Sequence, residues 1–172
     1  MDDNRTDVAS SIGLALGAAF GMAGTFAPSP WMRGVAWGID GVALVMASAL
    51  LTISFVRKGH DRVAAGFLVF VAGQTLVLAS APMDIVAGAP LFGAGASLWA
   101  LALVLISSQP VFPSLVRGVG LVAAALFAVT AMQIFAGAPV TALSSPIPFN
   151  AYPILVATMA GWIWALIKGR AG

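Results

Sequence analysis

The chain has 172 residues, 60% of them hydrophobic and 8% charged, with a formal net charge of +2. A soluble domain carries about 25% charged residues, so this composition excludes an ordinary water-soluble globule. The basic residues fall at the ends of apolar runs and form no patch for nucleic acid, and the absence of cysteine removes disulfides, thiolate metal sites and cysteine nucleophiles.

The apolar content divides into runs of about 20 residues, the length that crosses a ~30 Å hydrocarbon core. The expected fold is an all-α integral membrane bundle of six transmembrane helices, one polytopic domain over residues 1–172. The first helix is expected over residues 8–27, capped by Thr6 or Asp7 and stopped by Pro28-Ser29-Pro30. The acidic N-terminus lacks the basic start of a cleavable signal peptide, so this helix is expected to be retained. Gly13, Gly17 and Gly21 recur every four residues on one face. Such small-xxx-small spacing lets a second backbone approach closely in lipid. The partner is either another helix of the same chain or a second copy.

The second helix is expected over 31–56, with Gly34 and Gly38 repeating the four-residue spacing near its start. The third covers 62–81, after a loop short enough to make an antiparallel hairpin. The fourth covers 90–108, with Pro90 in its first turn, where proline is tolerated. The fifth covers 114–136. A proline-rich, uncharged connection follows, and the sixth and shortest helix covers 151–168, with Pro153 in its first turn.

With six spans, Arg5, Arg57, Lys58, Arg62, Arg117, Lys168 and Arg170 fall on one side and Arg33 alone on the other. Short loops rich in Lys and Arg stay in the cytoplasm. Both termini are therefore expected to be cytoplasmic, in a multi-pass protein of the inner membrane. Trp31, Phe149 and Tyr152 would mark the outer interface, and Trp162 and Trp164 would lie toward the inner one.

Asp40 is the one carboxylate well inside an apolar run. An ionisable group in a span costs about 2.5–3.5 kcal/mol on insertion scales, so it implies a partner or a cavity. Arg33 lies seven residues earlier on nearly the same face, with Trp37 between them, placed to stack on the guanidinium. Gln74, Ser97, Thr130 and Thr158 fall at a similar depth, and Gln133, Asp84, Asn150 and Tyr152 lie further out. The pattern suggests an outward-facing polar pocket with Asp40 at its floor and Arg33, Trp37, Gln74, Gln133 and Tyr152 around it. The alternative is that these groups only hydrogen-bond between helices.

Several chemistries have no support. His60 is the single histidine and sits in a loop, so the spans offer no bis-histidine haem or histidine metal site. Lys58 and Lys168 sit at span ends rather than mid-membrane. There is no His-Glu-x-x-His, no nucleophile elbow and no phosphate-cradling glycine loop. No catalytic residue, metal or cofactor is assigned, and an enzyme is not expected. In size and hydropathy the chain resembles many small bacterial membrane proteins, and no motif names a family. The first functional expectation is a non-enzymatic accessory or structural protein among membrane lipids, packed against itself or a larger membrane complex. The others are a small proton- or cation-responsive transporter using Asp40, and a binder of lipid or a hydrophobic ligand.

Overall fold

The computed structural model describes residues 3–81 and 83–169. Its helices are α1 (Asp3–Thr25), α2 (Pro30–Arg57), α3 (Asp61–Ser80), α4 (Ala89–Ser107), α5 (Ser114–Phe135) and α6 (Ile147–Ile167). All six are long and apolar enough to cross a membrane. No strand occurs among the described residues.

Local chemistry explains most boundaries. Ser29 caps α2 by accepting a hydrogen bond from the Met32 amide at 3.2 Å, and Pro30 fills the first helical position, where no N–H is needed. At the other end Gly59 takes φ +77°, so that His60 N–H reaches Phe55 C=O at 2.8 Å and Gly59 N–H reaches Val56 C=O at 3.1 Å. This pairing closes a helix end with a left-handed residue, which glycine adopts without steric cost. The same device, built on Gly137 at φ +81°, ends α5.

Two helices start earlier than their sequence signals imply. α1 already runs through Thr6 and Asp7. Asp7 caps nothing, because its carboxylate accepts from the Ser54 hydroxyl at 3.0 Å and pairs with Lys58 at 2.9 Å, tying α1 to the end of α2. α6 begins at Ile147, with Pro148 in its first turn. Pro153 therefore sits inside the helix, not at its start, and leaves the Phe149 carbonyl without its usual donor. The shortest helix is α4, with 19 residues against 21 in α6.

Each helix packs beside its neighbours in sequence, and α6 returns to α1. The result is a closed ring of alternating helices with the start of α1 and the end of α6 at one end, called here the terminal end. Arg5, Arg57, Lys58, Arg62, Arg117 and Lys168 cluster at that end and Arg33 at the opposite one. Arg170 lies outside the described residues.

Aromatic side chains fill the middle of the ring. From the terminal end, Phe112 meets Phe55 edge-on at 5.7 Å, and Phe55 stacks on Phe67 at 5.6 Å. Phe67 meets Trp162 at 5.1 Å, Trp162 meets Phe70, and Phe70 stacks on Trp99 at 5.8 Å. Trp99 then contacts Phe127 and Tyr152. Offset-stacked and edge-on pairs of this kind add about 0.5–1.5 kcal/mol each beyond burial. The column also corrects two positions. Trp162 is 1% exposed and packs into the core rather than on the surface. Tyr152 points inward to the top of the column. Trp31, at 76% exposure, and Trp164 remain on the surface.

The outer surface is apolar, with Val42, Leu68, Leu101, Val122 and Met132 exposed on α2, α3, α4 and α5. A helix bundle apolar inside and out suits a lipid surround.

Candidate functional site

Asp40 lies in α2 and faces into the ring, 9% exposed. Its space comes from α1. A β-carbon built on Gly17 would stand 3.3 Å from Asp40 Oδ1, and one on Gly21 would stand 3.4 Å from the carboxylate carbon. The glycine face thus makes room for a carboxylate as well as for a helix. It continues in both directions along the same seam, with Gly13 against Ala47 and the Ala43 carbonyl and Gly24 against the Trp37 ring. Gly13, Gly17 and Gly21 are therefore used within the chain. Gly34 and Gly38 behave differently, because nothing lies within 4 Å of a β-carbon on either. They face away from the ring on the outer side of α2 and pack no helix here.

From α3, Gln74 is 1% exposed and its side chain lies beside the Asp40 carboxylate. Its other end, Oε1, is buried with no partner. From α6, Tyr152 lines the same space as Asp40. From α4, Trp99 is 2% exposed and its Nε1 is likewise buried without a partner. These groups line one cavity, with room for water-sized molecules of about 50 Å³. That suffices for a few waters or the head of a small molecule. Its remaining walls are largely apolar.

A second chamber of about 200 Å³ lies beyond it, toward the end opposite the termini. The two share Trp37, Ser80, Ala81, Phe92 and Ala142 as walls. The outer chamber carries Arg33 and Asp84. Asp84 Oδ1 accepts from the Val86 and Ala87 amides, which shapes the α3–α4 connection. Ala142 comes from the connection between α5 and α6, so that segment covers both chambers. On the terminal side the aromatic column closes the cavity.

The structure brings Asp40, Trp37, Gln74 and Tyr152 together and leaves two expected members out. Arg33 does not line the inner cavity. Its guanidinium lies over Trp37, 5.8 Å from the ring centroid, and Nε is buried without a partner. The stack on Trp37 holds it in the outer chamber, so the wall between the chambers separates it from Asp40. Gln133 is half-buried near the end of α5, which contributes nothing to the cavity lining. Ser97, Thr130 and Thr158 neither line it nor link helices. Each hydroxyl donates to its own helix, to Ala94, Leu126 and Ile154 carbonyls at 2.7–2.9 Å. In apolar surroundings the preceding turn offers the nearest acceptor.

No family model, curated protein or solved structure matches the chain. The site therefore rests on its own geometry. Sequence reasoning missed Trp99, Phe92 and the part Gly17 and Gly21 play beside Asp40. Trp99 left one usable signal: it sits at the middle of an apolar run, whereas tryptophan in a membrane favours the interface. Among the described residues, no three His, Asp or Glu side chains converge to hold a metal ion.

Proposed function

We propose that this is a multi-pass protein of the inner membrane, with both termini cytoplasmic, that binds a small, largely apolar molecule in a pocket facing the other side. The observation that carries the reading is the cavity around Asp40. It holds a buried carboxylate, an acceptor on Gln74 and a donor on Trp99 that have no protein partner, and it shares its walls with an outer chamber. Unpartnered buried polar groups are costly, about 1–3 kcal/mol each, so a ligand or water that satisfies them is favoured. Mostly apolar walls with a few convergent polar groups are typical of small-molecule sites. The basic residues gathered at the terminal end support the orientation.

Binding is favoured over permeation because Phe55, Phe67 and Trp162 fill the terminal half of the ring. It is favoured over a purely structural role because the face of Gly13, Gly17 and Gly21 is spent on α2 and offers nothing to a second copy.

The chain has no natural cysteine, so single thiols can be placed at will. Ser80 lines both chambers, whereas Ser48 is fully buried in the terminal half. A small, membrane-impermeant anionic thiosulfonate added to intact cells should label Ser80→Cys and leave Ser48→Cys untouched. Labelling of Ser80→Cys only after permeabilisation would reverse the orientation. No labelling under either condition would remove the open pocket.

A further inference from the structure

The polar atoms of the inner cavity are not a random set. Asp40 brings two acceptor oxygens, and the Gln74 side chain lines the cavity with it. Gln74 Oε1 is a further acceptor, 99% buried as a residue and unpartnered. The surplus is therefore of acceptors, and Asp40 is the acidic group in the lining. Lysine and arginine are both missing from the lining, and Arg33 is held back by its stack on Trp37. The nonpolar walls include Trp37, Phe92, Trp99 and Tyr152, whose π-faces attract cations. Among the described residues, none in the lining supplies the positive group that this combination fits.

From this we infer that the pocket takes a small primary ammonium with a short apolar tail, its N–H groups donating to Asp40 and to Gln74 Oε1. The inference deepens the binding role proposed above and rests on it. A space of about 50 Å³ admits a compact head and little more. The tail then extends between Trp37 and Phe92 toward the outer chamber. That chamber carries one charge of each sign, Arg33 and Asp84, so it sets no net barrier to a cation. The unpaired Trp99 N–H is left for a water beside the head.

Two probes of nearly the same shape separate the head from the tail. Phenethylammonium and propylbenzene differ by NH₃⁺ in place of CH₃. Each is tested, in lipid nanodiscs, for its ability to slow labelling of Ser80→Cys by N-ethylmaleimide. A charge-assisted hydrogen bond contributes about 1.5–3 kcal/mol, so phenethylammonium should protect at concentrations about 10- to 100-fold lower. Asp40→Asn keeps the size of the side chain and removes the charge, and should abolish that preference. Gln74→Met keeps the carboxylate and removes the second acceptor, and should reduce the preference in part, which keeps the test open if Asp40→Asn fails to fold. Equal protection by the two probes would overturn the ammonium site and leave the apolar pocket standing. A preference that survives Asp40→Asn would place the cation elsewhere and would also overturn it. Protection by neither probe would remove the binding role itself.

Discussion

The α1–α2 seam permits a test in which one term can be isolated. At Gly13 an added β-carbon would stand 2.8 Å from Ala47 Cβ and 3.0 Å from the Ala43 carbonyl oxygen. Carbon atoms in good contact lie about 3.5–4.0 Å apart. The Ala43 carbonyl is helix backbone and cannot rotate aside, so Gly13→Ala must push the helices apart by roughly 0.5–1 Å, a gap that forfeits a quarter to a half of each contact it opens. Overpacking of this kind costs about 1–3 kcal/mol. Against it stands the gain of replacing a mid-helix glycine by alanine, about 0.5–1 kcal/mol. Gly38→Ala makes the same chemical change where nothing lies within 4 Å, so it keeps the gain without the clash. Subtracting one variant from the other cancels the propensity term. Gly13→Ala should therefore be less stable than Gly38→Ala by about 1–3 kcal/mol. Unfolding by dodecyl sulfate titration in mixed micelles measures both proteins against the same unfolded reference. Equal stabilities would mean that this face of α1 is not packed on α2 as described.

Two further substitutions probe the terminal half of the ring. Trp162→Ala empties the centre of the aromatic column and should cost about 3–5 kcal/mol in detergent, whereas Trp164→Ala, on a residue 43% exposed, should change the melting temperature little; similar losses from both would refute the column as core. Asp7→Ala strands the Ser54 hydroxyl, 1% exposed, and leaves Lys58 unpaired, so it should destabilise by about 1–3 kcal/mol; a melting temperature equal to that of the parent protein would show that this tie carries no stability.

Much of the architecture was open to inspection in the linear chain. Length and hydropathy determine the number of helices because lipid requires each span to satisfy its own backbone. Pro30, Gly59 and Gly137 mark helix ends through backbone restraints that act within a few residues. Asp40 stood out because a carboxylate in an apolar run is expensive wherever the helix points. The environment of Asp40 depended on which faces meet across the ring. Gly17 and Gly21 sit on a different helix from Asp40 and share a seam with it only because α1 packs on α2. Arg33 lies on nearly the same helix face as Asp40, yet the ring places the Trp37 wall between them, and spacing along one helix cannot reveal a wall built by its neighbours. The hydroxyls of Ser97, Thr130 and Thr158 turned to their own helices, an outcome decided by the nearest acceptor rather than by depth. Trp162 and Tyr152 turn inward because closing six helices into a ring opens a central space that large side chains fill. Composition and periodicity thus determined the spans and their ends, which are local or solvent-driven properties, while the pocket, assembled from residues on five helices and two connections, was decided only by the packing of the ring.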